Sequence, residues 1–228
     1  MLFPIGDDQV KGGTYPLFSY AFIVLNAVVF WQQLSQPDAW IYEFGAIPVE
    51  IMQGKDTITL ITSMFLHGGW MHLIGNMLFL WVFADNIEAT IGNVRFVIFY
   101  LLGGLAAHAA HIYFNSGSSI PTVGASGAIS AVMGAYLIMF PASRVKVWFF
   151  FFTFRVPALL FLGFWIWQQW MSGMASLDVA TAESSGVAWW AHIGGFVFGV
   201  VAGFYYRMRF SPTLDRGIPS NAPQKQAW

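Results

Sequence analysis

Pro121-Thr122-Val123-Gly124-Ala125-Ser126-Gly127-Ala128-Ile129-Ser130 is the stretch from which the chain becomes readable. A polar, proline-containing loop stops there, and an apolar helix of roughly fifteen residues begins with a serine in its first turn. Ser126 therefore stands at the mouth of a helix that otherwise carries almost nothing polar. The remainder of the sequence is read outward from it.

With 57% hydrophobic and 9% charged residues, the chain lies far from the roughly 25% charged residues of soluble domains. A soluble domain of this length could not hide that much apolar surface. A net charge of -1 offers no basic footprint, so nucleic acid is not an expected partner. The absence of cysteine excludes disulfide frameworks and thiolate metal sites. No cofactor and no metal are expected. Met1 to Tyr15 is polar, acidic at Asp7 and Asp8, and lacks a basic stretch running directly into an apolar one. No cleavable leader is expected there, and the first helix is taken to bring the chain into the membrane.

A span needs about 20 mostly apolar residues. Six segments meet that requirement when polar interruptions are allowed: 16–34, 68–87, 94–114, 126–140, 151–172 and 188–206. The expected fold is all-α, a polytopic bundle of six transmembrane helices. Its orientation follows from the basic residues. With the N-terminus inside, Lys11, Arg95, Arg144, Lys146, Arg155, Arg207, Arg209, Arg216 and Lys225 lie at the inner face, leaving only Lys55 outside. The topology is accordingly N-in, C-in. Residues 1–15 form an inner tail, 16–208 the six-helix domain, and 209–228 a second inner tail with the composition of a disordered segment. Between Gln36 and Phe65, apolar residues such as Trp40, Tyr42, Ile47 and Ile51 alternate with Asp38, Glu43, Glu50 and Asp56, which suits a segment half-sunk at the outer interface.

Ionisable and amide side chains are costly inside spans and are functional candidates there. Segment two carries His72 and Asn76 at i, i+4 on one face. Segment four opens with Ser126 and places Ser130 a turn later, and segment six carries His192. All three segments run from outside to inside with these residues near their starts. Ser126 precedes Arg144, and His192 precedes Arg207, by roughly 27 and 22 Å at helical rise, depths compatible with contact. His192, Gly195, Gly199 and Gly203 share one face of segment six, and Gly127, Ala131 and Gly134 make a second small stripe on segment four. Such faces let membrane helices approach closely. A Gly-x-x-x-Gly face by itself is ordinary packing, and a serine at a helix start is ordinarily a cap. The conjunction of the three, at matching depth on parallel helices, is what calls for more. His108 and His111, at i, i+3 on segment three, could form a metal pair, but no third ligand is evident and hydrogen bonding at the outer end is favoured. Glu88 and Arg95 flank the turn between segments two and three and are expected to pair or cap there.

Three pieces resemble the rhomboid intramembrane serine proteases. They are Thr62-Ser63-Met64-Phe65-Leu66-His67-Gly68-Gly69-Trp70-Met71-His72-Leu73-Ile74-Gly75-Asn76-Met77, then Gly124-Ala125-Ser126-Gly127, then Ala191-His192-Ile193-Gly194-Gly195 with Gly199. The resemblance covers about residues 15 to 208 and, with all three pieces in this order, is specific. It implies Ser126 as nucleophile, His192 as general base, and His72 with Asn76 as oxyanion donors. Gly127, Gly195 and Gly199 then pack the helices at the site. His67 is expected to brace the first loop. With no carboxylate near His192 in its own helix, and Asp178 and Glu183 in the preceding loop, a Ser-His dyad is expected in place of a triad.

The implied activity is endoproteolysis of single-span membrane proteins, in a bacterial inner membrane with the site toward the outer, periplasmic side. The lipid bilayer is the other partner. The rival class is a silent relative that binds or escorts membrane clients, though such relatives typically lack the serine or the histidine and this chain keeps both. A third, a histidine-lined transporter, would need polar residues through the full depth, whereas the inner halves of segments two and six are apolar. Two positions depart from the family pattern. Trp40 is followed by Ile41 where many members carry a Trp-Arg pair, and Ser130 stands where many place an aromatic residue against the base. What orients His192 is left open at this point.

Overall fold

The computed structural model describes residues 3–178 and 187–210. The chain order is β1 (Phe3–Gly6), α1 (Leu17–Gln33), α2 (Pro37–Phe44), α3 (Pro48–Met52), α4 (Thr59–Thr62) with a 3-10 turn at Ser63–Phe65, α5 (Trp70–Ile91), α6 (Asn93–Phe114), α7 (Ser126–Met139), β2 (Arg144–Phe149), β3 (Phe152–Pro157), α8 (Ala158–Asp178) and α9 (Trp189–Arg209). Long helices thus stand at each of the six apolar segments. By length and composition α6 has the profile of a membrane span, while α1 and α7 are apolar but shorter. The tail from 211 onward, with Arg216 and Lys225, lies outside the described residues, as does Glu183. Asp178 closes α8.

Helix α7 sits at the centre, with every residue from Gly127 to Tyr136 buried. A helix apolar all round must be covered all round, and small residues decide how closely its neighbours approach. A methyl at Gly127 would lie 2.6 Å from Ala107 Cβ of α6. One at Gly195 or Gly199 of α9 would run into the carbonyl oxygens of Gly127 and Ala131 respectively. One at Gly203 would lie 2.9 Å from Ala135 Cα. Helices α7 and α9 therefore meet backbone to backbone along the expected stripes.

The all-α expectation needs correction. β1, β2 and β3 form an antiparallel sheet in that order, with Phe3 opposite Trp148, Pro4 opposite Val147, and β2 paired to β3 from Arg144–Pro157 to Phe149–Phe152. The fifth long helix begins at Ala158 instead of 151. The cause is legible afterwards: Val145 and Val147 are buried while Arg144, Lys146 and Trp148 are exposed. That is a strand alternation, masked in the sequence by the apolar run Phe149–Phe152.

The segment ahead of α1 is built into the end of the bundle that holds the C-terminus of α7. Asp8 accepts from the Arg144 amide at 2.9 Å and pairs with Arg155 at 2.6 Å. Asp7 accepts from Tyr136 Oη and from Asn86 Nδ2. Asn86 Oδ1 in turn accepts from the Val10 amide at 2.8 Å. Glu88 does not pair with Arg95. It accepts from the amides of Phe18 and Ser19 and from Ser19 Oγ at 2.6–2.8 Å. A carboxylate satisfies the orphan donors of a helix start, and Glu88 does that for α1. Arg95 instead donates to the Ile91 carbonyl and lies 5.3 Å over the Phe210 ring.

Two tests follow from this packing. Gly195→Val or Gly199→Val is expected to lower stability by about 1–3 kcal/mol through overpacking, while Val197→Ile on the exposed face is neutral. Thermal melting in detergent measures this, and glycine variants that melt with the control refute the seam. The second test concerns Asp7, whose carboxyl is pushed well above the usual carboxylate range by burial first and by the Asp85 charge next. A raised folded-state value stabilises fully below the unfolded value of about 3.9 and is lost as pH rises through the folded one. Melting temperature should fall on that rise, and Asp7→Asn, which stays neutral, should flatten the fall. An unchanged slope in the variant would remove Asp7 as the cause.

Candidate functional site

The loop before α7 delivers Ser126 through a glycine that no other residue could replace without strain. Gly124 has φ +127, and a methyl there would lie 2.8 Å from His72 Cε1 and Nε2 and 3.7 Å from Asn76 Nδ2. The Gly124 amide donates to the Ser63 carbonyl at 2.9 Å. His72 and Asn76 therefore line the wall beside the backbone that leads into Ser126. His72 Nδ1 accepts from the Gly68 amide at 3.3 Å, so the proton of the neutral ring sits on Nε2, the nitrogen next to Gly124. Asn76 is buried, and its Nδ2 has no hydrogen-bond partner among the described residues.

Across the site, His192 Nε2 lies 2.9 Å from Ser126 Oγ. The two residues stand on the α7–α9 seam, Ser126 beside Gly127 and His192 one turn from Gly195. Both keep part of their surface open, which a reactive pair requires. Ser130 Oγ donates to the Ser126 carbonyl at 2.6 Å and stays clear of the imidazole.

What holds His192 comes from α8. Gln169 Oε1 lies 2.8 Å from His192 Nδ1. The Trp165 ring, one turn earlier on α8, lies 5.8 Å from the imidazole at 37°, and Trp189 meets it edge-on at 6.2 Å. The aromatic packing absent at Ser130 is thus supplied by another helix. Sequence reasoning missed Gln169 and Trp165. The available signal was an amide in an apolar segment with an aromatic residue at i-4, the same rule that had singled out Asn76.

The other histidines brace the loops around the site. His108 Nε2 lies 3.0 Å from Ser63 Oγ, and His111 Nε2 lies 2.9 Å from Thr122 Oγ1. Thr122 bridges to Ala46, between α2 and α3, through both backbone bonds. No group of three His, Cys, Asp or Glu is placed to hold a metal ion among the described residues. His67 is fully buried against Phe30 and His72. Its backbone is bonded at both ends by the Gln33 side chain, at 2.6 and 3.1 Å. Burial, and secondarily the nearby His72, push the His67 ring down to about 3, so it stays neutral.

A family model described as Rhomboid domain matches residues 54–209. The chain is 27% identical over 194 residues to "Rhomboid protein 1, mitochondrial" of Saccharomyces cerevisiae, covering 82% of this chain and 52% of that protein. It is 31% identical over 160 residues to "RHOMBOID-like protein 6, mitochondrial" of Arabidopsis thaliana, 70% of this chain and 47% of that one. It is 32% identical over 133 residues to "Rhomboid protease GluP" of Bacillus subtilis, 57% of this chain and 26% of that one. The chain thus spans about half or less of the length of these relatives.

The close approach at Gly124 yields a prediction. Gly124→Ala combines a left-handed backbone with a methyl pressed on His72, a cost of about 1–3 kcal/mol. Gly117→Ala, in open space, is the control. Melting in detergent should separate them, and equal melting would mean that the loop does not press on α5.

Proposed function

The chain belongs to the rhomboid family, and on that premise we propose that it is an intramembrane serine endopeptidase working by a Ser126–His192 dyad. The observation that carries this reading is the 2.9 Å hydrogen bond from Ser126 Oγ to His192 Nε2. A serine hydroxyl is a weak nucleophile at neutral pH until an adjacent base takes its proton. His192 takes it as Oγ attacks the scissile carbonyl, and returns it to the leaving amine as the tetrahedral intermediate collapses. Water, deprotonated by the same imidazole, then hydrolyses the ester on Ser126. His72 Nε2 and Asn76 Nδ2 are the donors for the oxyanion, each worth about 3 kcal/mol by analogy with a soluble serine protease. A protein that only binds membrane clients has no use for a hydroxyl hydrogen-bonded to an imidazole.

The membrane reading extends this. Helix α7, with 14 residues, is about 21 Å long, against a hydrocarbon thickness of about 30 Å. In a six-helix bundle with both ends inside, residues 16–208, such a helix starts below the outer surface. The polar loop 115–125 then lines the water-filled approach, and α2 to α4 lie at the outer interface. The substrates are membrane proteins with a single span, and a helix must unwind locally to present its carbonyl. Small or helix-breaking residues are expected near the cut.

Purified protein incubated with a single-span model substrate tests the dyad. Ser126→Ala and His192→Ala should each abolish cleavage, by at least about 10³-fold, and the double variant should be no worse because the two act as one unit. Normal turnover by either single variant, with cleavage otherwise reproducible, would sink the reading.

A further inference from the structure

We infer that Gln169 is the positioning residue of this site, the group that fixes which nitrogen of His192 faces Ser126; the inference rests on the dyad reading above. Gln169 is 4% exposed on α8 and makes two hydrogen bonds. Its Nε2 donates to the Trp165 carbonyl at 3.3 Å, and its Oε1 lies 2.8 Å from His192 Nδ1. These two contacts determine each other. A backbone carbonyl only accepts, so the amide must turn its nitrogen toward Trp165. The oxygen left facing the imidazole also only accepts, so Nδ1 must carry the ring proton. A neutral imidazole has one such proton, and Nε2 is therefore bare toward Ser126 Oγ, 2.9 Å away. Turning the amide over would set two oxygens against each other at Trp165 and lose that bond.

In soluble serine proteases a buried carboxylate holds the imidazole in this tautomer. Here a neutral amide does it, without placing an unpaired charge among apolar helices, where one is costly. The same oxygen keeps accepting from Nδ1 when His192 has taken the Ser126 proton, so its dipole favours the imidazolium as it forms. The rings of Trp165 and Trp189 fix the plane of the imidazole. Gln169 fixes its rotation within that plane and its proton.

Two variants separate a hydrogen-bonding role from a packing one. Gln169→Met keeps the volume and removes the acceptor, whereas Gln169→Glu keeps an acceptor. With a single-span substrate, Gln169→Met should lower kcat by about 10- to 100-fold with KM within about twofold, and should slow fluorophosphonate labelling of Ser126 in parallel. Gln169→Glu should recover most of the loss, and Gln168→Met, on the exposed side of the same helix, should match the unaltered protein. A packing role predicts the opposite order, with methionine tolerated and glutamate not. ¹⁵N spectra of the histidine-labelled unaltered protein should show His192 protonated at Nδ1, a readout independent of any variant's folding. Proton on Nε2, or a Gln169→Met kcat within about twofold of normal, overturns the inference. If Ser126→Ala is inactive while Gln169→Met is fully active, this inference alone fails; if Ser126→Ala is active, the dyad reading fails.

Discussion

The distance between α7 and α9 governs the rest of the molecule. Gly195 and Gly199 press on the carbonyl oxygens of Gly127 and Ala131, so the spacing is set by backbone atoms that cannot fold away as side chains can. Ser126 precedes Gly127 by one residue, and His192 precedes Gly195 by a single turn. The separation of hydroxyl and imidazole is thus a by-product of helix packing, and a displacement of about 1 Å at such a pair can cost on the order of a hundredfold in rate. Among membrane helices, packing of this kind is also a principal source of cohesion. One set of contacts serves both stability and site geometry.

Helix α7 is anchored differently at its two ends. At its C-terminal end Tyr136 Oη bonds to Asp7 and lies 2.7 Å from Ser143 Oγ, which ties the segment ahead of α1 and the approach to β2 onto the central helix. At its N-terminal end there is no side-chain cap on α7. The helix start is positioned instead by groups converging from α5, α6, α8 and α9. The C-terminal end is closed by bonds that finish in the protein, and the N-terminal end is left with groups able to bond to something else.

Much of this was legible in the sequence because polar side chains are rare in apolar helices. Ser126, His192, His72 and Asn76 stood out against that background, and the glycine spacing placed His192 on a packed face. Gln169 was not legible. Gln168 and Gln169 are adjacent, so one must face outward, and which one matters depends on an imidazole 23 residues further along. The sheet was hidden by a phenylalanine run that reads equally as the start of a helix. Glu88 was misjudged because the nearest basic residue in sequence is Arg95, whereas its partners are α1 amides about 70 positions away.

The loops show how so many polar groups are held among apolar helices. Buried polar groups are costly singly, and each bond that joins them to a neighbour offsets part of that cost. His108 holds Ser63, whose carbonyl holds the Gly124 amide, and His111 holds Thr122, which is bonded to Ala46. Gly124 is thereby pinned from both sides, and it is the residue that brings His72 and Asn76 up to Ser126. Within this wall His72 Nδ1, Ser130 and Gln169 are bonded to protein. Asn76 Nδ2 is buried and bonded to nothing among the described residues. A donor fixed by its neighbours yet unmet, beside the proposed nucleophile, costs no reorganisation when negative charge appears next to it. In the proposed reaction its position favours an oxyanion over a neutral carbonyl, and that difference in affinity is what catalysis requires.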